Sequence, residues 1–161
     1  MPTLRRGRWR AADVSRIVGI DPGQARIGVA ISDEERSIAF PRETVPARGG
    51  TTEAARRVRE ALGEDEISLA VVGLPLRLDG SEGEAARRAR AFGEALGRAL
   101  EVEVVYWDER LTTVAAERSL REMGRRGAKQ REVVDQSAAT ILLQGYLDAN
   151  KGGKWPDPDS L

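Results

Sequence analysis

The 161-residue chain contains no cysteine and no histidine. The first absence excludes disulfides and thiol nucleophiles. The two together exclude most zinc sites and every Ser-His-Asp triad. The usual proton shuttle of neutral pH is missing as well. Any chemistry must fall to carboxylates, Lys, Tyr or hydroxyls, and a hard metal held by oxygens suits that inventory best. No run approaches the roughly 20 apolar residues of a membrane span. Residues 1–16 lack the apolar stretch of a signal peptide, so a cytoplasmic location with no membrane partner is expected. A length in the ~100–200 residue range makes one domain the default, large enough to need no covalent staple.

What the chain has in quantity is charge. Charged residues make up 32% of it, and 26 bases cancel 26 acids. The distribution is uneven. Residues 1–10 carry +4 from Arg5, Arg6, Arg8 and Arg10, residues 110–131 carry +5, and the rest carries −9. Two basic segments on a neutral chain suggest a footprint for a polyanion. The plainer reading is a solvated arginine-rich surface, since Arg outnumbers Lys 23 to 3.

Hydrophobic periodicity orders the elements. Residues 17–21 and 26–32 read as two strands joined by a Pro22-Gly23 turn. The second alternates Ile27, Val29, Ile31 against Gly28, Ala30, Ser32. Residues 37–45 read as a third strand, interrupted by Pro41 and hence at an edge. A helix is expected over 51–62, with Ala54, Val58, Ala61 and Leu62 on one stripe. The continuous apolar run at 68–74 suits a central strand covered on both faces, with Pro75 as its stop. Ser81 and Glu84 have the spacing of a capping box that opens a helix to about residue 100, its stripe Ala85, Ala89, Phe92, Leu96 and Leu100. A strand at 102–107, a helix at 113–123, a basic loop at 124–131 and a helix at 132–148 complete the domain. Residues 1–15 and 150–161 read as flexible tails around a single domain, 16–149. The order β-β-β-α-β-α-β-α-α predicts an α/β fold. Its sheet has five mixed strands, a three-strand antiparallel meander plus parallel strands, with helices on both faces. That order matches the ribonuclease H-like architecture.

Three acids stand out by position. Asp21 ends the first strand, Glu109 follows the strand at 102–107, and Asp135 falls in the first turn of the last helix. Ligands of open α/β sheets gather at the carboxyl ends of strands, where Asp21 and Glu109 belong. On a helix, Asp135 shares a face with Ala139, Leu142 and Tyr146, at the top of a stripe that packs on the sheet. Taken singly, each has an ordinary explanation: a turn residue, a solvated acid, a charge at a helix N-terminus. Taken together, three converging carboxylates repel, and two divalent cations relieve the repulsion. Such a metal pair stabilises both the attacking and the leaving oxygen of an in-line phosphoryl displacement, and it needs no histidine.

The same residues carry a family resemblance. Ile17-Val18-Gly19-Ile20-Asp21-Pro22-Gly23, followed by Arg26-Ile27-Gly28-Val29-Ala30, resembles the first motif of Holliday-junction-resolvase-like nucleases. Val72-Gly73-Leu74-Pro75-Leu76 with Asp79-Gly80-Ser81-Glu82 resembles the second motif of the YqgF/RuvX family. Asp108-Glu109-Arg110-Leu111-Thr112-Thr113 resembles the third, and Val134-Asp135-Gln136-Ser137-Ala138-Ala139 the fourth. The resemblance spans about residues 16–148. It implies an RNase H-like nuclease, with Asp21, Glu109 and Asp135 as catalytic residues and as ligands of Mg²⁺ or Mn²⁺ in a two-metal site. It also implies 5′-end maturation of pre-16S ribosomal RNA, or else resolution of Holliday junctions. Two positions depart from the pattern. The first motif reads Asp-Pro-Gly rather than Asp-Phe-Gly or Asp-Tyr-Gly, which leaves RNA and branched DNA both open. Ala138 stands where the resolvase proper has a fourth acid.

The loop at 124–131 leads straight into the helix bearing Asp135. That placement makes Arg125, Arg126, Lys129 and Arg131 expected phosphate contacts, with Arg110 as a fifth. Asp108 is expected to orient Arg110. The expected partner is nucleic acid, pre-rRNA or branched DNA, and the protein itself a monomer or a non-covalent homodimer. Two other classes compete. One is a nucleic-acid-binding adaptor with weak catalysis, motivated by the missing fourth acid. The other is an actin-like ATP-binding protein, for which one domain leaves too little room.

Overall fold

The computed structural model describes residues 15–110 and 138–151. The expected helix at 113–123, the loop at 124–131 and most of both tails, residues 1–14 and 152–161, lie outside the described residues, as does Asp135. Two strands open the chain, β1 (Arg16–Pro22) and β2 (Arg26–Ser32), antiparallel with Asp21 opposite Gly28. Two short strands follow, β3 (Ala39–Pro41) and β4 (Val45–Pro46), both paired with β2. Then come α1 (Thr51–Leu62), β5 (Ile67–Leu74), α2 (Glu84–Leu100) and β6 (Glu103–Asp108). The last described element is α3 (Ala138–Ala149).

The sheet runs β3-β2-β1-β5-β6, with β4 also on β2. β1, β5 and β6 are mutually parallel, and β2 to β4 form the antiparallel side. The mixed sheet is as expected, but it has six strands rather than five. The difference lies in residues 37–45. β3 ends at Pro41, although Arg42 N–H still donates to Val29 O at 2.8 Å, and strand pairing with β2 resumes at Val45 as β4.

Side-chain alternation divides the core in two. Val18, Ile20, Val29, Ile31 and Val72 face α1 and α2, where they meet Val58, Phe92 and Leu96. Ile17, Ala30, Leu69 and Val71 face α3, where they meet Ala139, Leu142, Leu143 and Tyr146. Helices therefore cover both faces. Within α2 the buried stripe starts at Ala86, and Ala85 is exposed.

The capping box is not formed. α2 begins at Glu84 with Gly83 as its N-cap and no side-chain cap. Ser81 is engaged elsewhere, donating its N–H and its hydroxyl to Asp79 Oδ1 at 2.9 and 2.6 Å. Glu82 pairs backwards with Leu76 in an extended bridge, so the backbone at 81–82 has not yet entered the helix.

α3 lies directly on the backbone of β1. A Cβ on Gly19 would fall 2.6 Å from Leu143 Cβ and 3.3 Å from Ala139 O. Gln144, 3% exposed, fixes the helix to the sheet edge. Its Oε1 accepts from Ala39 N–H at 2.9 Å and its Nε2 donates to Ser37 O at 3.0 Å. Among the described residues no helix is long and apolar enough to cross a membrane.

Gly19→Ala places a methyl group where α3 already sits. Overpacking of this kind costs about 1–3 kcal/mol. Urea unfolding is expected to show that loss, and wild-type stability in the variant would argue against this contact.

Candidate active site

Three parallel strands end at the same edge of the sheet, and their alternation decides what stands there. In β1, Ile17 and Gly19 face α3, and Asp21 is next on that face. In β5 the series is Leu69, Val71, Gly73. In β6 it is Val105 and Trp107, and Glu109, one residue past the strand, continues it. The register aligns these ends: Ile20 is level with Val72, and Gly73 with Trp107. Asp21 and Glu109 thus flank the glycine from either side.

β5 lies between β1 and β6, so the two acids are separated by two strand spacings, each ~4.8 Å. They meet because the strand between them carries no side chain at that level. A Cβ on Gly73 would fall 2.7 Å from Glu109 Oε1 and 3.3 Å from Glu109 Cγ. The Glu109 carboxyl therefore lies over the Gly73 backbone and reaches Asp21, with which it hydrogen-bonds. Leu142 of α3 closes the site from above, its Cδ1 3.0 Å from the same Cβ position.

Burial, and then the neighbouring Asp21 carboxylate, push the Glu109 carboxyl up to about 7. Asp108, its chain neighbour, moves the opposite way. Arg110 holds its carboxyl below the usual range through side-chain hydrogen bonds. Arg110 Nε spans both Asp108 oxygens at 3.1 Å, and Nη2 donates at 2.8 Å. The contrast follows from their partners: Glu109, just past the end of β6, meets a second acid, and Asp108, the last residue of β6, meets a guanidinium.

The structure thus brings Asp21 and Glu109 together and places Arg110 on Asp108, the expected orienting partner. Asp135, Arg125, Arg126, Lys129 and Arg131 lie outside the described residues. Among the described residues no three acids converge. A cavity of about 390 Å³, lined by Pro22, Gly23, Ile27, Ala54 and Phe92 among others, includes neither carboxylate. Gly73 is the site residue that sequence reasoning missed. The signal was present: an isolated glycine in a buried strand marks a close approach by another group.

The donor set fits a divalent cation. Two carboxylates in contact, one holding its proton to about pH 7, are the arrangement a hard cation relieves.

Comparison with known proteins turns this geometry into a family assignment. The family model described as "RuvX: Holliday junction resolvase" matches residues 15–149. The chain belongs to the RuvX family. A relative from Agathobacter rectalis, named "Putative pre-16S rRNA nuclease", is 42% identical over 137 residues, covering 83% of this chain and 94% of its own. A relative of the same name from Anaeromyxobacter sp. is 47% identical over 133 residues, covering 83% and 96%. Among solved structures, Thermus thermophilus RuvC in complex with Holliday junction substrate matches with a TM-score of 0.52 and 18% identity, covering 86% of this chain and 96% of that one. At that identity the likeness is one of fold, and it makes this RuvX chain RNase H-like.

In the folded protein Glu109 keeps its proton to about pH 7, against about 4.5 in an ordinary carboxyl. Between those values the folded state binds the extra proton, so this group's contribution to stability is full below about pH 4.5 and is lost as pH rises to about 7. Without divalent ions, the melting temperature of wild type relative to Glu109→Gln is expected to fall across that window. A difference that does not change with pH would mean that Glu109 is not raised.

Proposed function

We propose that this chain is a divalent-metal-dependent nuclease that hydrolyses phosphodiester bonds of structured nucleic acid, its substrate the 5′ region of pre-16S ribosomal RNA. The observation that carries the reading is the Asp21–Glu109 pair meeting over Gly73, in a chain whose relatives are named for that RNA. Branched DNA is the second reading, favoured by the family description.

Asp21 and Glu109 would hold the cation, with Asp135 as a third carboxylate. Asp135 precedes Ala138 by three residues, a chain reach of at most ~11 Å. α3, described from Ala138, rests on Gly28, the partner of Asp21 in the β1–β2 ladder. When bound, Mg²⁺ or Mn²⁺ would lower the pKa of the attacking water and take charge on the leaving oxygen, with a second ion sharing these tasks in a two-metal site. The residues of the chain hold and orient. Leu142 and the Gly73 backbone fix the Glu109 carboxyl toward Asp21. Asp108 takes the charge of Arg110, which keeps the guanidinium from neutralising Glu109. Arg110, Arg125, Arg126, Lys129 and Arg131 would contact phosphates and set the affinity for substrate, the basic footprint that charge counting suggests.

The test is cleavage of matched RNA and DNA substrates with Mg²⁺, Mn²⁺ or EDTA, comparing wild type with Asp21→Asn. Cleavage is expected only with an ion, with a loss of at least about a hundredfold in the variant and substrate binding retained. Undiminished cleavage by Asp21→Asn would overturn the assignment. The ratio of RNA to DNA cleavage decides between the two substrates.

Gly73→Ala supplies a separate check. Its methyl group displaces the Glu109 carboxyl from Asp21, so the ion concentration for half-maximal activity is expected to rise at least about tenfold. An unchanged ion requirement would mean that the meeting of the two acids over β5 is not what holds the cation.

A further inference from the structure

Beyond Gly73 the chain leaves the sheet at Leu74 and turns through a tight hairpin. Leu76 and Glu82 form an antiparallel bridge. Within it Arg77 N–H donates to Ser81 O at 2.9 Å and Gly80 N–H to Arg77 O at 2.8 Å. Gly80 has φ of 87°. Those bonds describe a three-residue hairpin loop, a type I turn closed by a left-handed glycine. Asp79 braces it by accepting from Ser81. Arg110 braces it from below, with Nη1 donating to the carbonyls of Arg77 and Leu78, each at 3.3 Å. The residue that ties down the hairpin tip is thus the one that directly follows Glu109.

Leu78 stands at that tip with 98% of its surface exposed. Single exposed apolar residues are ordinary on protein surfaces. This one differs in its mounting. Its carbonyl is drawn inward by Arg110, the loop around it is hydrogen-bonded at both ends, and its side chain is held out in water. A type I turn accepts most residues at this position, so the turn itself does not require leucine. The hairpin rises from the sheet edge where Asp21 and Glu109 meet, and the exposed Arg77, next to Leu78 in the turn, lays its guanidinium across Gly83 and Ser81 at the hairpin's base. An apolar group with a cation on the same hairpin matches the two parts of a nucleotide, since the flat faces of bases are apolar and the phosphates are anionic.

We propose that the hairpin of residues 77–81 contacts nucleic acid beside the cut, with Leu78 packing as an apolar wedge against a base unstacked there. The inference rests on the nuclease reading above and narrows its substrate. The preferred strand presents an unpaired or easily unpaired base next to the scissile phosphate, as at a boundary between duplex and single strand, rather than a continuous duplex.

The experiment uses the full chain as wild type, Leu78→Ser, Leu78→Phe and Asp21→Asn. Its substrates are two RNA hairpins of one sequence, with the base beside the cut paired in one and unpaired in the other. Each carries 2-aminopurine at that base. In EDTA, where nothing is cleaved, binding of wild type to the paired hairpin is expected to raise 2-aminopurine fluorescence. Leu78→Ser is expected to lose most of that rise and Leu78→Phe to keep it. With Mn²⁺, Leu78→Ser is expected to lose about five- to tenfold in kcat/KM on the paired hairpin and about twofold or less on the unpaired one. The side chain is solvated, so neither variant threatens folding. An unchanged fluorescence rise in Leu78→Ser, or an equal loss on both hairpins, would overturn the proposal. So would a change in sedimentation of Leu78→Ser with its fluorescence response intact, which would assign Leu78 to contact with a second copy. Failure of the nuclease reading itself has a different mark: wild type and Asp21→Asn cleave alike, while the fluorescence arm still decides Leu78.

Discussion

Two carboxylates on strands that are not neighbours touch in this protein, and they do so across a residue with no side chain. Burial, and after it repulsion from the Asp21 carboxylate, raises Glu109 until one proton is held to about pH 7. Much of the surrounding arrangement serves that contact. β1 and β6 must end level with each other, β5 must be bare between them, and α3 must come low enough for Leu142 to cover the pair. Any extra atom at Gly73 separates the acids, as does any slip of register.

The low position of α3 has its own cause. Gly19 lets Leu143 and Ala139 rest on the β1 backbone, and Gln144 fastens the helix to the β3 edge through two hydrogen bonds. Trp107 meets Tyr146 edge-on at 5.3 Å, adding an aromatic contact between β6 and the same helix. Packing in this half of the core and the placement of the acids are therefore one problem. The opposite half, under α1 and α2, is built of branched aliphatic residues, alanines and Phe92, and carries neither acid.

Much of this was legible in the sequence where a signal is local. The periodicity of Ala54, Val58 and Leu62 delimits α1 at Thr51 and Leu62. The apolar run through Val71 and Val72 identifies β5 as a strand covered on both faces. Other signals were local but ambiguous. Ser81 and Glu84 have capping spacing, yet Asp79 competes for the same hydroxyl and wins because the hairpin has not finished turning. Pro41 marks an edge strand, and only the register on β2 shows two short strands where one is expected. The meeting of Asp21 with Glu109 is not local at all. Their separation of 88 positions becomes contact only through the order β1-β5-β6, and periodicity carries no information on strand order. For the same reason the lone Gly73 signals in the sequence that some group approaches its strand closely, but not that the group is Glu109.

The two acids differ in length, and the longer one crosses the glycine. Glu109 stretches from beyond the end of β6 until its carboxyl lies on β5, whereas Asp21 serves from within its own strand. The positions are alike in charge and unlike in reach, so an aspartate at 109 or a glutamate at 21 would preserve the electrostatics and shift the point of meeting. In this fold, then, the Asp and Glu codons at these two sites are not synonyms, and the pair can drift between them only if both change together and the backbone beneath them follows.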